Sequence, residues 1–291
     1  AELIGLVPGA RFADVTSDTL LSVPLDLAVG GTAANFAIAA VEHFAEVHLI
    51  GRVGTDPVAD LISAGLAAAG VHGHLIRDPA CSSGLAAVLR DADPHRQRGT
   101  RLMLISPNSA NIGLTAAEID PLADVLAGMD ALVADGYAML SEPRRSATLQ
   151  AMAIVAAAGG QVIFDVVPHD SFRRYDIAEL HRLTASATII IAEVRTLCGF
   201  LGAIDQGGYY DLDRAVAALP DLIAAFGDRT LFLRFGFGNA NETLHVEPGR
   251  DHQHRHTRYT DTAETVGFGD RLAARELSEY LSALASRESN P

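Results

Sequence analysis

The sequence predicts an α/β protein, with a doubly wound, mainly parallel sheet flanked by helices and a small β lid standing off it. Three observations carry this expectation. Between residues 25 and 235, short β-rich runs alternate with Ala-rich amphipathic stretches, as strand–helix–strand units do. Interior strand candidates such as 188–191 are continuous apolar runs, the pattern of strands covered on both faces. One region, 73–106, breaks the rhythm with two strand candidates and no helix.

The strand candidates are 47–50, 131–134, 162–165, 188–191 and 230–234, each a short run rich in β-branched or large apolar residues. The helix candidates are 34–42, 57–69, 146–158, 211–226 and 270–285, each with apolar residues recurring on one side. The runs 84–90 and 100–105 flank the polar turn 91–99 and read as a hairpin. With no linker, repeat or low-complexity tract, residues 1–291 are expected to form a single domain, its lid drawn from about 14–29 and 73–106.

Composition excludes several function classes. About half of the 291 residues, 49%, are apolar, enough for a sizeable core. No uninterrupted apolar run reaches the length of about 18 residues that a membrane span needs. The net charge is −14 and all 22 basic residues are arginine, a balance that argues against nucleic acid or an anionic membrane as partner. The start lacks a basic n-region, and Cys81 and Cys198 make no disulfide framework, so a reduced, cytoplasmic setting is the expectation. No Gly-x-Gly-x-x-Gly opens a βαβ unit, which weakens a nucleotide-dependent oxidoreductase reading.

The sharpest motif is Glu264-Thr265-Val266-Gly267-Phe268-Gly269-Asp270, running straight into a helix candidate. Glycines before a helix expose amides at its positive end, which suits an anion. An Asp there can accept the proton of an attacking hydroxyl while the amides hold a transferring phosphoryl group. Read alone, the same pattern describes a capped helix start with equal force. A second motif, Gly30-Gly31-Thr32-Ala33-Ala34-Asn35, lets a ligand approach the backbone and offers Asn35 as donor and acceptor for hydroxyls. A third, Gly51-Arg52-Val53-Gly54-Thr55-Asp56, follows a strand and precedes a helix.

The order Gly-Gly-x-x-x-Asn, then Gly-x-Val-Gly-x-Asp, then Gly-x-Gly-Asp resembles the PfkB, or ribokinase-like, carbohydrate kinases. Residues 100–114, Asp135-Gly136-Tyr137, Phe164-Asp165-Val166-Val167-Pro168 and Leu233-Arg234-Phe235-Gly236 resemble further family segments, so the likeness spans most of the chain. It implies a ribokinase-like fold and ATP-dependent phosphorylation of a hydroxyl on a sugar or sugar-like molecule. Asp270 is then the general base, and the amides of Gly267, Phe268 and Gly269 form the anion hole. Glu2, Gly30, Gly31, Asn35, Asn111 and Gly136 fall in the substrate set, with Glu2 standing where the family places an Asp after its first strand. Arg234, Gly236, Thr265, Gly267 and Gly269 border the nucleotide. The implied cofactors are ATP and Mg2+, the metal bridging phosphates largely through water. The resemblance also implies a homodimer paired through the lid.

The chain departs from the family pattern in places. It starts where the first strand should already have ended, so that strand is trimmed or missing. It ends soon after Asp270, which puts a normal adenine wall in doubt. Phe268 replaces the usual Ala. The family's Asn-x-x-Glu has no counterpart in 189–202, where no Asn occurs and Glu193 stands as a remnant for the metal. These departures keep open a second reading, a catalytically impaired member that binds a sugar or nucleoside without turnover. A nucleoside kinase is a further alternative. His252, His254 and His256 would share one strand face, where a solvated edge is expected over a metal site. Arg144 and Arg145 are expected at a solvated helix start.

Overall fold

The computed structural model describes residues 1–7, 11–91, 101–203, 210–236, 240–258 and 267–288. The chain divides into two compact units, residues 1–114 with 263–291, and residues 115–262.

The first unit opens with strand β1 (Glu2–Val7), then β2 (Asp26–Ala28), helix α1 (Thr32–Ala40), β3 (His48–Val53), α2 (Pro57–Ala68), β4 (His72–Arg77), β5 (Ala86–Asp91) and β6 (Arg101–Ile105). Four of these strands form one sheet in the order β2-β1-β5-β6, parallel between β1 and β5 and antiparallel elsewhere. This sheet holds strands from both segments expected to form the lid, and the hairpin expected at 84–90 and 100–105 is its β5–β6 pair. Strand β4, of which residues 73–77 are expected at the start of the lid, pairs in parallel with β3. Its alternation puts Gly73 and Leu75 toward the core and His72 and His74 away from it. A core of Ala37, Leu66 and Val71, with Val29, Ile38, Leu49 and Leu75 packed on it, joins α1 and α2 to this two-stranded sheet.

Helix α2 begins cleanly for two local reasons. Pro57 occupies its first turn, where a missing N–H is harmless, and the Asp56 carboxylate accepts the Ala59 amide at 3.0 Å.

The second unit carries α3 (Ala116–Ile119), α4 (Ala123–Ala127), β7 (Ala131–Asp135), α5 (Arg144–Ala157), β8 (Gln161–Asp165), α6 (Ile177–Leu183), β9 (Ile189–Glu193), α7 (Val194–Phe200), α8 (Leu212–Phe226), β10 (Thr230–Phe235), β11 (Ala240–Val246) and β12 (Gln253–Arg258). Its six-stranded sheet runs β12-β11-β10-β9-β8-β7. Strands β7 to β10 are parallel, and β11 and β12 add antiparallel. Val162, Ile163 and Phe164 of β8, and Ile189, Ile190 and Ile191 of β9, are buried whichever face they point to, which explains their unbroken apolar sequence. Helix α8 presents Ala215, Leu219, Leu222 and Phe226 inward at helical spacing, and α5 presents Ala147, Ala151 and Val155.

Arg144 and Arg145 are more than a solvated helix start. Arg144 donates to the Tyr137 carbonyl, and Arg145 donates to the Met139 carbonyl at 2.7 Å. The chain then returns to the first unit with α9 (Phe268–Glu288), which packs along α1.

Candidate functional site

In the first unit, the two glycine motifs meet. Gly267 has φ +74° and precedes the first turn of α9, where Asp270 sits. A Cβ on Gly267 would lie 3.2 Å from Cβ and Cγ of Asn35 and 3.4 Å from its Nδ2. Asn35 belongs to the first turns of α1, its amide closing on the Gly31 carbonyl at 2.8 Å. Packing of α1 against α9 therefore brings the Asn35 carboxamide beside the N-terminus of α9. Asp270 is half-buried there, one turn inside the helix.

Glu2 joins the same unit through the lid. Strand pairing sets Glu2 opposite Ala28, and the buried Glu2 side chain fills the space where a Cβ on Gly30 would stand. Gly31, at φ +100°, then turns the chain into α1. Glu2, Gly30, Gly31, Asn35, Gly267, Phe268, Gly269 and Asp270 thus belong to a single unit. Asn111 lies in a 3₁₀ turn, Ala110–Gly113, where it pairs with the Ser109 hydroxyl, and Gly84 packs close to it.

The third glycine motif serves structure. A Cβ on Gly54 would stand 2.6 Å from the Cys81 carbonyl and 2.8 Å from the Ser83 amide. Asp56 accepts that Ser83 amide at 2.7 Å as well as capping α2, so the motif clasps 81–83 to the end of β3. These amides hold the Asp56 carboxyl below its ordinary pKa, the Ser83 bond most of all.

In the second unit, charged side chains gather at the carboxyl ends of the parallel strands, where α/β sheets bind ligands. Asp135 ends β7, Asp165 ends β8, Glu193 ends β9, and Arg234 lies one residue from the end of β10. Gly136 follows Asp135, and its missing side chain is required by the Val167 carbonyl, which occupies that space. Burial pushes the Asp165 pKa up to about 6, opposed by Arg234 and His169 and assisted by Asp135 and Glu193. Burial also raises Asp135, although the Ala138 amide at 3.0 Å and the Arg144 cation pull it down. Gly236, with φ +128°, follows β10.

Glu193, expected at the metal, faces His169 at 3.5 Å. Among the described residues no three His, Cys, Asp or Glu side chains converge as a ligand set, so the metal role has no protein cage around it. The residues fit phosphate better, through the α9 N-terminus and through Arg234, whose Nε and Nη2 are buried without a hydrogen-bond partner. His254 and His256 both turn to Glu242, at 2.6 and 2.5 Å, which explains their alternation as a cross-strand clasp of β11 and β12. Thr265 lies outside the described residues. Asp165 and His169 were not assigned a role from the sequence. Strand register, invisible in one dimension, is what brings them to Glu193 and Arg234.

A mainly parallel sheet with helices, a β lid and a glycine-led helix bearing an acid define a ribokinase-like α/β protein. The sequence matches the pfkB family carbohydrate kinase profile over residues 12–288, and the chain belongs to that family. It is 26% identical over 199 residues to the 5-dehydro-2-deoxygluconokinase of Shouchella clausii (strain KSM-K16), a match covering 67% of this chain and 60% of the relative. The chain thus spans less than two thirds of that relative's length. Among solved structures, it resembles the 2-dehydro-3-deoxygluconokinase of Thermotoga maritima at TM-score 0.72 and 16% identity, over 97% of this chain and 85% of that one. The adenosine kinase of Sinorhizobium meliloti aligns at TM-score 0.70 and 16% identity, over 97% and 84%. The Arabidopsis thaliana ribokinase, complexed with ribose and ATP, aligns at 0.68 and 15%, over 97% and 83%. These likenesses establish the shared fold. Among the described residues no helix is long and apolar enough to cross a membrane.

Proposed function

We propose that this chain transfers the terminal phosphoryl group of ATP to a hydroxyl of a sugar, sugar acid or nucleoside. The observation that carries this reading is the meeting of Asn35 with Gly267 at the start of α9. It sets a group that reads hydroxyls beside one that stabilises anionic charge. Asp270 takes the proton of the attacking hydroxyl as the new O–P bond forms and the bond to the ADP oxygen breaks. The amides of Gly267, Phe268 and Gly269 donate to the transferring group, worth most where water is excluded. Glu2 and Asn35 orient substrate hydroxyls, with Gly31, beside which nothing stands within 4 Å of a Cβ position, leaving the backbone open to the ligand and Asn111 of the same unit completing the set. The family resemblance gives Arg234 and Gly236 of the second unit, and Thr265 by its sequence motif alone, to nucleotide binding. Magnesium carried with the phosphates supplies charge neutralisation.

The names of the similar proteins, kinases of sugar acids, ribose and adenosine, support an acceptor that is a small molecule bearing hydroxyls. Asp270→Asn tests the reading. Turnover should fall about 10²- to 10⁴-fold while substrate binding, read by calorimetry, persists. Full activity in that variant removes Asp270 as base.

A second reading is a family member that binds such ligands without turnover, favoured by Glu193 being engaged with His169 and by the missing Asn in 189–202. ADP release from the wild type with any acceptor excludes it.

The lid supports a homodimer. Leu102, Met103, Leu104 and Ile105 are 40%, 41%, 56% and 66% exposed along β6, an edge strand, and Leu25 and Leu27 are half exposed on and beside β2 at the opposite edge. An apolar edge of this kind calls for cover, and a second copy of the same lid supplies it.

A further inference from the structure

Phosphoryl transfer at α9 makes no use of the motif Gly51-Arg52-Val53-Gly54-Thr55-Asp56, but that motif grips the 3₁₀ turn carrying Asn111, Ala110–Gly113, at both ends. At the start of the turn, the Ala110 amide donates to the Ser82 carbonyl at 2.8 Å, and Ser82 and Ser109 form a parallel bridge. The neighbouring Ser83 is held by Asp56, which accepts its amide at 2.7 Å, and by the Gly54 amide, which donates to its hydroxyl at 3.0 Å. At the end of the turn, Arg52 Nη1 donates to the Gly113 carbonyl at 2.5 Å. Carbonyls that close a helical turn lack partners inside it, and a cationic side chain can supply one. A Cβ on Gly113 would stand 2.5 Å from that Nη1, so the glycine admits the guanidinium. The other arm, Nη2, lies 3.3 Å from Oδ2 of the buried Asp78, whose Oδ1 accepts the Ala80 amide at 2.8 Å. Arg52 thus spans a fixed carboxylate and the turn with two arms, a reach that the single ammonium of a lysine does not reproduce.

Between these anchors Asn111 is exposed. The Ser109 hydroxyl donates to its Oδ1, and a Cβ on Gly84 would stand 2.9 Å from that oxygen. With Oδ1 engaged, the Nδ2 amide is the donor left for a ligand hydroxyl. Asn111 follows β6, whose Ile105 pairs with Ala86, and Ala86 pairs in turn with Glu2, so both acceptor-side groups belong to one end of the lid sheet. A short 3₁₀ turn is weakly held by its own hydrogen bonds, so where Asn111 stands depends on the anchors. We propose that Arg52 is a positioning residue for the acceptor: by tying the Gly113 carbonyl to the Asp78 carboxylate, it fixes Asn111 where its amide donates to a substrate hydroxyl. The inference rests on the kinase reading for the place of Asn111 in the acceptor set, and adds Arg52 as the group that acts through it.

Calorimetric titration of the full chain tests this, with ribose, adenosine and gluconate as acceptor probes and ADP as the nucleotide probe. The acceptor probe that the wild type binds most tightly is carried to Arg52→Lys, Gly113→Ala, Asn111→Ala and the double variant Arg52→Lys with Asn111→Ala. Arg52→Lys should weaken that probe about tenfold, the loss expected on removing a charge-assisted hydrogen bond, and leave ADP unchanged. Gly113→Ala, at a glycine without positive φ, displaces the Nη1 arm and keeps the Arg52 charge beside Asp78, so it should weaken the same probe. It carries the comparison if Arg52→Lys does not fold. Asn111→Ala should lose at least as much as Arg52→Lys, and the double variant should match Asn111→Ala within about twofold, because residues acting through one group do not add. A merely structural Arg52 gives additive losses, or equal losses for acceptor and ADP, and either result overturns the proposal. So does unchanged acceptor binding in Arg52→Lys, or a wild type that binds none of the three acceptor probes. An active kinase with additive losses keeps its proposed function and loses the Arg52 role. A protein that releases no ADP but shows the acceptor-selective, non-additive loss keeps the Arg52 role and loses turnover.

Discussion

The side chain of Glu2 occupies the volume that a Cβ on Gly30 would need, so the first lid strand and the turn into α1 are fitted to one another. Gly30 is there to admit Glu2, and its motif partner Gly31 supplies the turn through its positive φ.

Gly30→Ala should therefore displace Glu2 and leave the rest of the unit intact. The overpacking costs about 1–3 kcal/mol, shared between stability and ligand binding. Thermal unfolding should show a modest drop, and the Michaelis constant for the acceptor should rise more than that for ATP. Equal changes in both constants would remove Glu2 from the acceptor side.

The lid edge predicts assembly. Light scattering should report a dimer for the wild type and a monomer for Leu104→Arg, with the circular dichroism spectrum unchanged because Leu104 is exposed in the single chain. A wild-type monomer at micromolar concentration would leave the apolar edge unexplained by self-association.

Acid sensitivity should come from the outer face of β3 and β4. His48 Nδ1 and His74 Nε2 are 2.9 Å apart, and His72 stacks on His48 at 4.9 Å between ring centres. Burial, then the neighbouring His48 and His72, lowers the His74 pKa below its ordinary 6.5. The unfolded chain thus binds more protons than the folded one from that lowered value up to about 6.5, and stability rises with pH across the window. The melting temperature should fall as pH drops from 7 through 6.5 toward 5, and His74→Gln should flatten that slope. An unchanged slope in the variant would assign the acid sensitivity elsewhere.

Much of the architecture was legible because burial writes itself into composition. Strands β8, β9 and β10 announce themselves as apolar runs, since both of their faces are covered. Helix α2 carries its own start signal in Asp56-Pro57. Strand β4 escaped notice because His72, Gly73 and His74 carry little β propensity, and its strand identity comes from its partner β3. The Gly54 motif shows in sequence only as a turn between a strand and a helix; the passing segment 81–83 is what excludes a side chain there. Arg144 and Arg145 read as solvated because sequence does not reveal which carbonyls will lie within their reach.

The alternation of strands and helices, the β5–β6 hairpin and the glycine and acid motifs are written in local pattern, set by side-chain period, glycine freedom and helix ends. Which of these residues meet follows from packing. Asn35 reaches Gly267 because α1 packs on α9, and Glu2 reaches Gly30 because β1 pairs with β2. Asp165 faces Arg234 because the register of β8, β9 and β10 puts both on one face. Such encounters depend on how apolar faces far apart in sequence pack, and no local pattern encodes that distance.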